Sequence, residues 1–331
     1  MIQFGLLSII VSFTAAIGLF PGCIKWLRDA KVGQYIQSDG PKHEAKSQTP
    51  TCAGIVVVFV INLTLILTGA LKATEIILLD AVLIAYMLVG LYDDLCKLMY
   101  KDNNLGLTPR TKFLLQTLLG CLAIISMQYI MGPKFTELSL PLGRQNWWTV
   151  DLGWLYYPFG LLAIIGGSNA FNLTDGLDGL FAGLTVIICT GMLIILSLGL
   201  TPMISTELIY MVGLLGAICG SLLGFLWYNA YPATVFLGDS GSLSIGACLV
   251  CLAILTKTEL VFGLMAGVYI METLSVILQV GYFKLTKGQR IFKMAPLHHH
   301  YELCGIKETK IVTRFWILGL IFSVISICLV V

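Results

Sequence analysis

Charge is scarce in this 331-residue chain: 11% of its residues are Asp, Glu, Lys or Arg, while 57% are hydrophobic. A soluble globular domain carries about 25% charged residues, so an ordinary water-soluble fold is excluded. Histidine is scarce too, with four in all, three of them consecutive. Internal repeats, low-complexity tracts, a P-loop and a dinucleotide-binding fingerprint are all lacking, and a single integral-membrane unit over residues 1–331 is expected. No second C-x-x-C accompanies Cys248 and Cys251, which lie in an apolar run, so packing is the expected role and no structural disulfide is foreseen. Met1 to Phe20 has the length of a signal peptide but no basic start, and a basic segment follows it. It reads as a retained first span.

What the chain does have is apolar runs near the ~20 residues that cross a bilayer. Such runs form helices, because a helix satisfies its own backbone in lipid. The expected fold is all-α and polytopic, with about ten spans: Ile2–Phe20, Cys52–Ala70, Glu75–Tyr92, Lys112–Met131, Leu155–Asn169, Leu177–Leu198, Glu207–Trp227, Ser242–Leu255, Leu260–Phe283 and Ile311–Val331. On that count one side collects sixteen of the twenty basic residues, the other only Lys72, Lys134, Arg144 and Lys257. The positive-inside rule makes the basic side cytoplasmic and puts both termini outside. The longest outer loop, Gly132 to Trp154, carries Trp147, Trp148 and Trp154 and reads as an interfacial segment.

Three acidic breaks fall on the basic side. The segment SNAFNLTDGLDG, Ser168 to Gly179, spaces Asn172, Asp175 and Asp178 by three, which puts them on one face of a helical turn. Asp175 or Asp178 could instead cap the next helix. Asp93 and Asp94 end the third span, at the negative end of the helix dipole, with Lys97 close enough to offset them. An ordinary ion-paired helix end, a general base and a metal site are all compatible with that pair. Asp239 in FLGDSGS has glycines on both sides and a helix N-terminus behind it, which would suit a phosphate or Mg²⁺ or simply a cap. PLHHHYE, Pro296 to Glu302, suits phosphate binding or proton transfer better than zinc, since adjacent histidines do not easily share one ion. His43, Lys42 and Lys46 join the same rim. Glu272 and Gln279 lie seven apart within the ninth span, so they share a helix face, for function or for hydrogen-bonded packing. Asp80 is expected near the outer interface.

Together these segments resemble the polyprenyl-phosphate N-acetylhexosamine-1-phosphate transferases over almost the whole chain. DGPKHEAKSQTPTCAG, LYDDLCK, GLTPRTKFLLQ, NAFNLTDGLDGL, FLGDSGSLSIG and APLHHHYE carry the likeness. The TDGLDGL form and the histidine run favour the branch that makes phospho-N-acetylmuramoyl-pentapeptide adducts. The resemblance implies a bacterial inner-membrane enzyme whose active site faces the cytoplasm. It implies that undecaprenyl phosphate attacks UDP-N-acetylmuramoyl-pentapeptide, giving lipid I and UMP, with Mg²⁺ as cofactor, a homodimeric assembly and no nucleic-acid partner. Carried over residue by residue, Asp239 would bind Mg²⁺ and Asp93 would deprotonate the lipid phosphate, or serve as nucleophile in a two-step route, supported by Asp94. Lys46, Lys97 and Lys112 would hold phosphates. Asn172, Asp175, Asp178 and Asn229 would line the nucleoside pocket beside Gly238, with Phe236 stacking on the uracil. His298 and His299 would position the phosphate and sugar-peptide side. A sibling transferase using UDP-N-acetylglucosamine would need the same carboxylates. A secondary transporter would place its charges near the midplane and often shows inverted repeats, and neither is seen.

Overall fold

The computed structural model describes residues 1–30, 49–100, 106–143, 146–203 and 206–331. Lys46, with Lys42 and His43, lies outside the described residues.

Apolar runs become helices throughout. In chain order they are α1 (Ile2–Asp29), α2 (Gly54–Thr68), α3 (Thr74–Tyr100), α4 (Pro109–Met131), α5 (Tyr156–Thr174), α6 (Leu180–Ser197), α7 (Leu208–Asn229), α8 (Asp239–Thr256), α9 (Glu259–Met265), α10 (Gly267–Leu285), α11 (Leu297–Leu303) and α12 (Glu308–Val330). Eight of them, among the described residues, are long and apolar enough to cross a membrane: α1, α3, α4, α6, α7, α8, α10 and α12. Every expected span falls on helix, though α2 has only 15 residues.

At the centre stands α8, buried along its length from Ser240 to Thr256. Its SGSLSIGACLVCLA sequence is rich in small residues, which let neighbouring backbones approach on every side. Cys248 and Cys251 are fully buried there as free thiols. Gly90 of α3 lies so close that an added Cβ would collide with the Asp239 carbonyl, and one on Gly54 of α2 would strike the Gly241 backbone nitrogen. These contacts fix the C-terminal part of α3 and the start of α2 over the N-terminal end of α8. Outer helices turn apolar side chains outward, such as Leu114, Leu118, Leu122 and Ile125 on α4, and Ile277 and Leu278 on α10. A hydrophobic perimeter of that extent requires lipid rather than water.

Three features differ from the expectation. The ninth span is not continuous: it breaks at Ala266 into α9 and α10. Gly263 and Gly267 lower the helix propensity on either side, and Gly267 lies directly against Phe322 of α12. Hydropathy registers the run and not the break. The all-helical fold also gains a small sheet. β1 (Glu137–Pro141) and β2 (Trp147–Asp151) pair antiparallel, Leu138 opposite Val150 and Leu140 opposite Trp148. Within the segment read as interfacial, the aromatic and β-branched WWTVD stretch favours strand. Lys257, 1% exposed, ties the start of this segment to the end of α8. Its ammonium donates to the Phe135 carbonyl at 2.6 Å and lies over the Tyr156 ring. Burial lowers its pKa, which Glu259, 3.5 Å away, partly opposes. The third difference is the length of α3, which runs on to Tyr100. Asp93 and Asp94 therefore lie inside the helix, about two turns from its end, where the dipole penalty has faded. Other groups must hold them.

Candidate active site

The end of the bundle that carries Asp239 brings together α3, α4, α5 and α8. Asp239 opens α8 and is met from three directions. Lys97 of α3 and Lys112 of α4 reach its Oδ2 at 3.0 and 2.7 Å, and Asn172 of α5 donates to Oδ1 at 2.7 Å. The same two ammonium groups reach Oδ2 of Asp93, at 2.8 and 3.3 Å. The other oxygen of Asp93 accepts the Leu107 N–H just before α4. Two carboxylates thus share two ammonium groups, a charge-balanced quartet at a helix end. Lys112 is placed by the preceding Thr108, whose hydroxyl caps α4 by accepting the Thr111 N–H.

Asp94 does something else. It is 6% exposed and accepts the backbone N–H groups of Asp239 and Ser240 at 3.1 Å each, so α3 caps the N-terminus of α8. Gly238 makes room for it with φ +80°, and a Cβ there would press on the Asp94 carboxylate. We expect Asp94→Asn to lower the melting temperature by the loss of one charge-assisted pair of bonds, about 1–3 kcal/mol. Thermal unfolding of the purified variant checks this, and a wild-type melting temperature would deny Asp94 the capping role.

The turn after α5 approaches the quartet from the side. Asp175 follows α5 directly, and burial, then the carboxylates of Asp239, Asp94 and Asp178, push its pKa up to about 8. Asp178 is buried and accepts the Ala233 N–H at 2.9 Å. Asn229 uses both ends of its amide on backbone, accepting from Gly179 N–H at 3.0 Å and donating to the Val235 carbonyl at 2.9 Å. Asp178 and Asn229 therefore tie the turn to the 230–236 loop. Phe236 is half-buried in that loop, with its backbone N–H donating to the Pro50 carbonyl at 2.7 Å. On the far side of the turn stands His298 of α11, 1% exposed, packed directly against Gly176. Burial pushes its imidazole below the ordinary histidine value, against the pull of Glu272. His299 is more open, with Nδ1 2.8 Å from a Glu302 oxygen.

Comparison with known proteins gives this geometry its context. Residues 76–257 match the model of glycosyl transferase family 4. A phospho-N-acetylmuramoyl-pentapeptide-transferase of Thermodesulfovibrio yellowstonii is 42% identical, over 97% of this chain and 91% of the relative. Those of Oleidesulfovibrio alaskensis and Borrelia hermsii are each 41% identical, over 97% and 96% of this chain and 90% and 92% of theirs. The chain belongs to the phospho-N-acetylmuramoyl-pentapeptide transferase family.

Within this transferase the structure brings together most of the residues marked in the sequence: Asp93, Asp94, Lys97, Lys112, Asn172, Asp175, Gly238 and Asp239 around the quartet, Asp178 and Asn229 behind the turn, and His298 beyond it. Sequence reasoning passed over a buried layer beneath them. Gln116 and Asn169 pair their amides at 2.8 Å, Gln116 also lies 3.5 Å from the Ser168 hydroxyl, and Tyr86 donates to the Gln116 carbonyl at 3.0 Å. Spacing could have found them. Gln116 is one helical turn past Lys112, and Asn169 is three residues before Asn172, so each shares its neighbour's face. Glu308 was also passed over; at the start of α12 it accepts the Asp178 N–H at 2.8 Å.

Proposed function

We propose that this transferase moves phospho-N-acetylmuramoyl-pentapeptide from its uridine diphosphate carrier to undecaprenyl phosphate, giving lipid I and UMP in peptidoglycan synthesis. The observation that carries the reading is the quartet of Asp93, Asp239, Lys97 and Lys112, a site of balanced charge at the edge of a membrane bundle. Phosphoryl transfer asks a protein for alignment and charge neutralisation rather than covalent chemistry. A diphosphate entering the site competes for both ammonium groups. Asp93, released from them, holds a proton more readily and can take one from the lipid phosphate. Asn172 steadies Asp239, and the Asp175–Gly176 turn, Phe236 and Asn229 border the nucleoside side. His298 and His299 face the phosphate and sugar-peptide side, with Lys46 a further phosphate contact. A two-step route through Asp93 as nucleophile uses the same residues.

Among the described residues no three carboxylate, histidine or cysteine side chains form a ready-made metal cage. The donor set nevertheless fits Mg²⁺, which takes one or two carboxylates with phosphates and water. Asp239 and Asp93 turn carboxylate oxygens onto one pair of cations, a place already suited to positive charge. Asp239 would hold the ion, with Asp93 nearby. Bound Mg²⁺ supplies Lewis-acid neutralisation of the diphosphate.

The chain is a multi-pass membrane protein of the bacterial cell membrane on this reading, with ten crossings, both termini outside, the site on the cytoplasmic face, and a homodimeric state. The charge distribution supports the sidedness: Lys97, Lys112, Lys284, Lys307 and Lys310 are at the Asp239 end of their helices, Lys72, Lys134 and Lys257 at the opposite end. Single cysteines placed beside Asp175 or His299 should resist an impermeant reagent added to intact cells; labelling there from outside would reverse the orientation. UMP release by purified protein, given Mg²⁺, undecaprenyl phosphate and each UDP-sugar in turn, tests the reaction. Release with UDP-N-acetylmuramoyl-pentapeptide alone is expected, and release only with UDP-N-acetylglucosamine would move the chain to the sibling activity.

A further inference from the structure

Glu272 is a fully buried carboxylate on a membrane helix, and the phosphoryl-transfer scheme leaves it unused. An ionisable group at such a depth persists when it has partners and a task. Its Oε1 accepts the backbone N–H of His298 at 3.2 Å, and its Oε2 lies 3.2 Å from His298 Nδ1. Seven residues along the same face of α10, Gln279 accepts the N–H groups of Ile291 and Phe292 at 3.1 and 2.9 Å. One polar face of α10 therefore grips the histidine-bearing segment at two points. His298 Nε2 is buried without a hydrogen-bond partner, and it faces the Asp175–Gly176 turn so closely that a Cβ on Gly176 would collide with it. A buried polar atom left in that state costs free energy until a ligand or neighbour meets it.

We propose that Glu272 is a positioning residue of the transferase. It holds the His298 ring with its proton on Nδ1 and keeps the bare Nε2 edge packed against the Asp175–Gly176 turn, so that the turn is held in place where the sugar-nucleotide docks. The inference rests on the transferase reading above. A carboxylate behind an imidazole sets which nitrogen carries the proton, and so what the other nitrogen can do. Glu272 Oε2 and His298 Nδ1 lie 3.2 Å apart without forming a hydrogen bond in this geometry. Such contacts tighten when the substrate docks.

Two measurements test it. The first is a cycle of Glu272→Gln, His298→Ala and the double variant, followed by UMP release. Glu272→Gln should lower kcat by about 10- to 100-fold, the range for removing a supporting partner. In the His298→Ala background it should cost nothing more, since the two act as one unit. Glu272→Asp keeps the charge but falls short by one methylene, and should behave like Glu272→Gln. The second is ¹⁵N NMR of histidine-labelled wild-type protein, where four histidines keep the spectrum tractable and His298→Ala assigns the resonance. A protonated Nδ1 and a bare Nε2 are expected, giving way to a tautomer mixture in Glu272→Gln. An additive loss in the cycle, or a wild-type ring protonated on Nε2, overturns the proposal even if Glu272→Gln fails to fold. No UMP release from the wild type together with the expected tautomer would overturn the transferase reading and leave the Glu272–His298 pair standing.

Discussion

Asp239→Asn is expected to remove turnover, by roughly 10³-fold or more, which corresponds to about 4 kcal/mol of lost transition-state stabilisation. The loss has two parts. A neutral amide no longer offers Mg²⁺ a charged oxygen, and it leaves the ammonium groups of Lys97 and Lys112 with Asp93 as their remaining partner in the quartet. The fold should survive, because the bond that Asp239 gives to the α8 cap comes from its backbone N–H, which asparagine keeps. UMP release across a range of Mg²⁺ concentrations, with a melting curve on the same sample, checks both halves. Near-normal activity with the wild-type Mg²⁺ dependence would make Asp239 a helix-start residue and move the metal elsewhere.

Asp93→Asn should lose most of its kcat while binding the UDP-sugar nearly as well as the wild type. Removing a general base typically costs 10²–10⁴-fold. Asparagine keeps an oxygen for the Leu107 N–H and so holds the local structure. The deficit should be largest below about pH 6 and shrink above it, because a phosphate monoester's second ionisation lies near there and an ionised lipid phosphate needs no base. Asp175→Asn should instead raise KM for the nucleotide, the mark of lost uniform binding. Steady-state kinetics with calorimetry on both variants decides between them. A normal rate at saturation for Asp93→Asn, joined to lost nucleotide binding, would exchange the two roles. A phospho-sugar adduct trapped on Asp93 without lipid would make it the nucleophile.

Much of this was legible in the sequence. Apolar runs marked the helices because bilayer thickness dictates their length, and the three acidic breaks stood out against a chain so poor in charge. The break at Ala266 was hidden because hydropathy is blind to where a helix stops for packing. The division of labour between Asp93 and Asp94 was hidden for a different reason. Adjacent residues on a helix point about 100° apart, and only the position of α8 reveals that one faces two lysines and the other a helix N-terminus. Asn229 and Asp178 read as ligand contacts, and the backbone bonds that each also makes were not legible. Polarity in a buried turn announces a need for partners without saying whose.

Asp94 and the N–H it accepts from Asp239 are 145 positions apart in the chain. At 5–20 residues per second, a ribosome needs roughly 7 to 30 s to supply the second after the first. During that interval α3 sits in the membrane with its two adjacent carboxylates already made, Lys97 beside them, Lys112 arriving with α4, and no α8 to receive a cap. The segment that completes the structure also delivers Asp239. The nascent protein therefore acquires its full charge balance and its central helix in a single late event, and a chain halted before residue 239 holds neither.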